Sequence, residues 1–287
     1  MRPTAVRWAA GVGISVLSLA GCLLTSSFDD VAGVRPDGGA FDAANAADAV
    51  EEIAVSSGGD DAGVEASTLG FCASAVPAHR TCADFDDGKL EMGGWGSHGM
   101  LGGTATLDTV DFVSPPASFR SKLPALLANG ESAGILFQNV GAKPSAMRYA
   151  FDLRIVSCLS RGGNGSIAIA QILPTEATLY KLVIRPSNLI EFLEVPQETD
   201  AGSSASHALL GQPKVGEWTR VVWKMTVAEA GSQVELTFAG KPVLALTTTY
   251  GIKLDGTPIV LNLGASAIGP TDPCDIEFDN VTFDVDL

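Results

Sequence analysis

Trp218-Thr219-Arg220-Val221-Val222-Trp223-Lys224-Met225-Thr226-Val227, then a turn at Ala230-Gly231-Ser232, then Val234-Glu235-Leu236-Thr237-Phe238-Ala239-Gly240-Lys241. In the second run Val234, Leu236 and Phe238 share one side, while Glu235 and Thr237 take the other. A period of two is what an extended chain with one buried face produces. Trp218 and Trp223 stand five apart on one strand, so they face opposite ways and one of them belongs in a core. The same alternation recurs upstream, where Tyr149, Phe151, Leu153 and Ile155 oppose Asp152 and Arg154. Ser166 to Leu173, Leu179 to Ile184, Leu189 to Val195, Val243 to Thr248 and Ile259 to Leu263 also read as strands. Between them sit turn residues, among them 161–165 (Arg-Gly-Gly-Asn-Gly), Pro186-Ser187-Asn188 and Ala239-Gly240-Lys241. No helix of ordinary length shows a 3.6-residue apolar period. About a dozen strands within residues 71–287 predict a single all-β domain, a sandwich or jelly roll.

The hairpin running from Trp218 through Gly231 to Ala239-Gly240-Lys241 resembles a recurring unit of the concanavalin A-like (laminin G-like) jelly roll. In that family a Trp-led strand is followed by one ending in an Asp-Gly-Lys turn; this chain has Ala239 at the Asp position. Cys82-Ala83-Asp84-Phe85-Asp86-Asp87-Gly88 and Phe278-Asp279-Asn280-Val281 are also similar to that superfamily. The resemblance covers most of residues 82–287. It implies a β-sandwich whose first and last strands pair.

Working outward, the N-terminus carries a different kind of signal. Arg2 and Arg7 precede an apolar run from Trp8 to Leu19, too short to span a bilayer as a helix, and the run ends in Leu19-Ala20-Gly21-Cys22. The pattern resembles a bacterial lipoprotein signal. It implies removal of residues 1–21, lipidation of Cys22 and anchoring of the chain in a lipid bilayer through acyl chains. Leu23 lacks the aspartate associated with inner-membrane retention, which favours the outer membrane, facing the periplasm or the surface. Residues 22–70 are rich in Ala, Gly, Asp and Ser, and residues 23–70 carry a net charge of −9. Such a segment cannot bury enough apolar surface to offset its ordering entropy, so it reads as a disordered acidic tether, roughly 40 Å in r.m.s. span.

The whole chain has a formal charge of −15, of which residues 71–287 hold −8. That balance argues against nucleic acid as a partner. With Cys22 lipidated, Cys72, Cys82, Cys158 and Cys274 remain, an even number that in an exported protein reads as two disulfides. Three pairings are open; Cys72–Cys82 with Cys158–Cys274 is the favoured one.

Several motifs invite a catalytic reading. Gly130-Glu131-Ser132-Ala133-Gly134 matches a nucleophile elbow, but that device needs a strand before it and a helix after it. Here Ile135 to Gln138 continues as strand, so a turn is expected instead. Asp275-Ile276-Glu277-Phe278-Asp279 places three acids on one side of a strand, the spacing used by some β-glucan hydrolases. The acid types are inverted and the strand is the last of the domain, so a solvated outer face is expected. Beyond Asp279 the apolar phase slips by one, predicting a bulge at Asp279-Asn280. Pairing of the first and last strands would crowd Asp84, Asp86 and Asp279, and a structural calcium ion is the expected remedy; no other cofactor is expected. For sugar binding the candidate rings are Trp95 in a glycine-rich loop, Tyr180 and Tyr250.

These readings lead to an envelope-anchored lipoprotein with a non-catalytic domain for polysaccharide or glycoconjugate. The alternatives are an adhesive surface domain that binds an envelope protein, and a glycoside hydrolase.

Overall fold

The computed structural model describes residues 70–287, apart from 92–93, 127–129, 141–143, 159–165, 175–177, 186–187, 197–204, 209–211, 253–258 and 287. The expected signal peptide, Cys22 and nearly all of the tether lie outside the described residues. The chain divides into the units Met1–Ala49 and Val50–Leu287, and every described residue belongs to the second.

After a single helical turn, α1 (Phe71–Ser74), the described chain is strand upon strand. In order these are β1 (Thr81–Ala83), β2 (Gly96–Met100), β3 (Thr104–Asp108), β4 (Ser118–Leu123), β5 (Glu131–Val140), β6 (Ala146–Cys158), β7 (Ile167–Pro174) and β8 (Thr178–Ile184). They continue as β9 (Ile190–Pro196), β10 (Ala205–Ala208), β11 (Trp218–Thr226), β12 (Gln233–Phe238), β13 (Lys241–Thr247), β14 (Ile259–Ile268) and β15 (Cys274–Asp286). An eight-stranded sheet runs β13-β12-β11-β6-β15-β4-β3, with β1 paired to β15 outside that path. A seven-stranded sheet runs β10-β9-β8-β7-β14-β5-β2. All pairings are antiparallel, and the two sheets make the expected β-sandwich of jelly-roll type.

The opening hairpin forms as its alternation predicts. Val234, Leu236 and Trp223 are buried, and Glu235 and Lys224 point outward. The tight turn that follows it lies between β12 and β13, where Ala239 and Gly240 both take positive φ, 48° and 75°. Two successive left-handed residues are the backbone of the hairpin turn whose twist matches that of the strands. Between the sheets an unbroken path of ring contacts runs Phe85–Phe119–Phe278–Phe151–Tyr149–Phe283, with neighbouring centroids 5.3–6.1 Å apart. All six rings are fully buried, and they seam β4, β6 and β15 into one core.

The first strand lies against the last: Ala83 is opposite Val281, and Cys82 opposite Thr282. The register of β15 against β6 shifts between Asp279 and Thr282, and Asn280 has φ 49°, which is the bulge that the phase slip predicts. The disulfides are Cys72–Cys82 and Cys158–Cys274, the second joining directly opposed residues of β6 and β15.

Two expectations need correction. Residues 131–134 are not a turn but the first half of β5, and Ser132 is buried in it. Trp95, placed in a loop on account of its glycine neighbours, leads into β2 and packs in the core, where it is 3% exposed.

Candidate functional site

Two assemblies of polar side chains stand out, one on each side of the sandwich. The first occupies the outer face of the seven-stranded sheet. Residues opposed across antiparallel strands point the same way, so the register can be read as a row. Lys181 on β8 is opposite Gln171 on β7, Gln171 opposite Asn262 on β14, Asn262 opposite Phe137 on β5, and Phe137 opposite Gly96 on β2. Four spacings of ~4.8 Å make this line on the order of 19 Å long. The alternate residues, Ile172, Leu182, Leu136 and Leu261, fill the core.

Phe137 is 38% exposed, and a Cβ on Gly96 would come 2.7 Å from its Cζ, so the ring stands directly over the glycine. The sheet thus offers solvent a supported ring beside an amide. The Gln171 amide donates to Ser266 Oγ at 2.9 Å, which fixes its orientation. Burial lowers the Lys181 ammonium to about 8, against the pull of Glu131 in the other direction. Beyond the row, toward β9, the face turns apolar: Ala168, Leu179, Val183, Leu193 and Val195 form a second buried cluster separate from the main core. Toward β2 and β14 it stays open, with Asn139, His98 and Ile268 exposed.

Carboxylates are sparse here. Among the described strand residues of this face they are Glu131 on β5 and Glu191 on β9, four strands and roughly 19 Å apart along the sheet. Glu191 is also tied to Arg185 at 2.7 Å. A glycosidase pair needs about 5–9.5 Å.

The second assembly is the acidic one on the eight-stranded sheet, and two of its members differ from expectation. Asp275 and Glu277 are not a solvated face. Arg120 from β4 donates to both Asp275 oxygens, at 2.8 and 2.7 Å, and also pairs with Asp108. Arg154 from β6 reaches Glu277 at 2.7 Å, and Glu277 is fully buried between the two guanidinium groups. Burial nevertheless raises the Glu277 carboxyl above its usual range.

Asp84, Asp86 and Asp279 do come together: Asp86 is pushed up to about 6, first by burial and then by the charges of Asp84 and Asp279. Asp279 is likewise pushed up to about 6 by burial. The crowding is offset mainly by backbone N–H groups. Cys72 donates to Asp84 at 2.8 Å, and Val113 and Ser114 donate to Asp279 at 2.7 and 2.8 Å. Among the described residues no three His, Cys, Asp or Glu side chains are arranged to hold a metal ion. What does suit a cation is Asp86 Oδ1, buried without a hydrogen-bond partner.

The aromatic candidates fare similarly. Tyr180 is fully buried, with its hydroxyl donating to the Tyr250 carbonyl at 2.6 Å, so it anchors a turn and presents no ring to solvent. Tyr250 is half-buried, and its backbone N–H is held by the buried Glu194. Neither of these rings nor Trp95 belongs to the row. Phe137 does, and sequence reasoning missed it because it lies in the unbroken apolar run Ile135-Leu136-Phe137, where the period of two is invisible.

No family model matches the chain, and no curated protein matches it. Among solved structures it is similar to an endo-β-1,4-glucuronan lyase from the fungus Trichoderma reesei, with 15% identity over 72% of this chain and 96% of that one, and a TM-score of 0.56. Cip1, a cellulose induced protein, matches at 13% identity over 70% of this chain and 95% of that one, with a TM-score of 0.48. At such identity the first likeness is one of fold, and it agrees with the jelly-roll sandwich of the two sheets.

Proposed function

We propose that the outer face of the seven-stranded sheet binds a polysaccharide without cleaving it, in a lipoprotein held to the cell envelope through Cys22. The observation that carries this reading is the row Phe137–Asn262–Gln171–Lys181. An exposed ring backed by Gly96 stacks on one sugar, the Asn262 amide, flanked by the buried Gln171, hydrogen-bonds the next, and an amine meets an acidic substituent beyond them. The three spacings from Phe137 to Lys181, about 14 Å, accommodate a few sugar units laid across the strands. The glucuronan lyase with the same fold is named for a polysaccharide, which accords with this ligand class. The wide separation of Glu131 and Glu191 supports a binding role over hydrolysis. A structural calcium ion against Asp86, near Asp84 and Asp279, is part of the same proposal and rests on the unpartnered Asp86 oxygen.

Affinity electrophoresis on gels containing neutral or uronate-bearing polysaccharides tests the binding role. Retardation on at least one acidic polysaccharide, lost in Phe137→Ala and weakened in Lys181→Gln, is the expected result. No retardation on any glycan would favour the adhesive, protein-binding alternative. New chain ends released from a retarding polysaccharide would overturn the non-catalytic part.

A further inference from the structure

The outer face of the seven-stranded sheet distributes its charges unevenly. Among its described residues the cations are Lys181 on β8 and Arg185 just past that strand, and the carboxylates are Glu131 on β5 and Glu191 on β9. Arg185 is paired with Glu191 at 2.7 Å. Lys181 makes no ion pair among the described residues, and Glu131 acts on its ammonium across a distance. One end of the Phe137–Lys181 row therefore holds an unpaired amine, while the rest of the row carries no charge.

The surroundings of that amine are apolar. On its own strand Leu179 and Val183 point the same way and are buried. Further along, the same-side neighbours are Val260 and Gly264 beside Asn262, and Ile135 and Asn139 beside Phe137, none of them charged. Apolar neighbours penalise a lone charge, which is why the ammonium is lowered to about 8, and an opposite charge placed against it removes that penalty. A single carboxylate at the Lys181 end is favoured on this ground. Over the remaining length of about 14 Å to Phe137 the row offers a carboxylate an amide or a ring, and no cation. Further carboxylates would lie unneutralised on a face that already holds Glu131, in a domain that is itself acidic.

We propose that the row selects a sparsely charged heteropolysaccharide, in which one acidic sugar is set among neutral ones, over a polymer with a uronate at every position. This selectivity rests on the polysaccharide-binding role proposed above and gives its ligand a class. Lys181 meets the one carboxylate, Asn262 hydrogen-bonds the hydroxyl groups of a neutral sugar, and Phe137 stacks on the apolar side of another. Discrimination is a difference between two affinities, and repulsion contributes to it. Glu131 leaves the first carboxylate free to pair with Lys181 and opposes those that arrive in excess. Lys181 is thus the residue that determines the preference for an acid, and Glu131 the one that limits it.

The test is a calorimetric titration of the full chain, at fixed ionic strength, with one polysaccharide backbone at three charge densities. Deacylated gellan carries a single glucuronate in each repeat of otherwise neutral sugars. Reducing its carboxyl groups to alcohols removes the charge, and oxidising its primary hydroxyl groups to carboxylates multiplies it. Native gellan is expected to bind roughly tenfold more tightly than either derivative, and than polygalacturonate. Lys181→Gln should bring native gellan down to the level of the reduced form. Glu131→Gln should strengthen binding of the oxidised form several-fold and leave the reduced form unchanged. Equal or tighter binding of the oxidised form or of polygalacturonate overturns the selectivity and leaves the binding role standing. An unaltered preference in Lys181→Gln overturns it too, as does absence of binding to native gellan; whether the binding role falls with it is then read from the glycan gels.

Discussion

The ring of Phe137 rests on Gly96 across the β5–β2 pair, close enough that a Cβ on the glycine would fall 2.7 Å from Cζ. The glycine is what lets an aromatic side chain lie against the sheet instead of standing away from it. Gly96→Ala should therefore tilt the ring and weaken polysaccharide retardation several-fold. Phe137→Ala should abolish it while changing stability by no more than about 1 kcal/mol, since the ring is partly solvated already. Urea denaturation of both variants alongside the gel assay separates loss of the platform from loss of the fold.

Glu277 offers the opposite case, a buried charge whose two cations arrive from different strands. Removing one partner of such a group leaves the others uncompensated, at a cost of about 3–5 kcal/mol. Glu277→Ala is expected to fall in that range by urea denaturation, and Glu235→Ala on the exposed rim to stay within about 0.5 kcal/mol.

Much of this architecture can be read from the chain, and the parts that cannot have a common cause. Tyr149 to Ile155 and Val234 to Phe238 declare their buried side because polar and apolar residues alternate. The slip after Asp279 announces a bulge because it breaks that alternation. Neighbours across strands are another matter. Nothing near Glu277 in sequence says that Arg120 and Arg154 will flank it, since register between strands remote in sequence is set by the whole fold. Trp95 misleads because Gly93, Gly94 and Gly96 look like a loop, whereas Gly96 serves to admit a ring. The gathering of Asp84, Asp86 and Asp279 is legible in the chain, whereas the backbone N–H groups of Cys72, Val113 and Ser114 that turn toward Asp84 and Asp279 are not.

Asp86 and Asp279 give a pH signature. Their carboxyl groups are pushed up to about 6 in the folded protein, from 3.8. The folded state therefore holds protons that the unfolded chain has released, and stability should fall as pH rises from about 4 to about 6. Asp86→Asn should flatten the slope. Calcium, if bound there as proposed, should raise the melting temperature at pH 7 more than at pH 4, and a chelator should reverse this. Scanning calorimetry that shows no calcium effect at pH 7 would remove the ion from the proposal.

The turn between β12 and β13 predicts a gain. Ala239 holds φ 48°, a left-handed conformation that disfavours a residue with a plain Cβ, and Asn tolerates it better. Ala239→Asn should stabilise the domain by about 0.5–1 kcal/mol, measured as a shift in the urea midpoint at constant slope.

The two disulfides should differ in weight. Cys158–Cys274 closes a sequence separation of 116 residues and Cys72–Cys82 one of 10. Loop-closure entropy assigns them roughly 5 and roughly 3 kcal/mol. The double variant Cys158→Ala/Cys274→Ala should accordingly lose the more in a denaturation series.

The short bridge has a mechanical consequence as well. Tension on the polypeptide ahead of Gly70 reaches Cys72, crosses the sulfur link to Cys82 and is delivered to β1, whose neighbour is the mid-sheet strand β15. A pull from that direction loads the middle of the wider sheet through a covalent shortcut, instead of peeling strands away from its rim one by one.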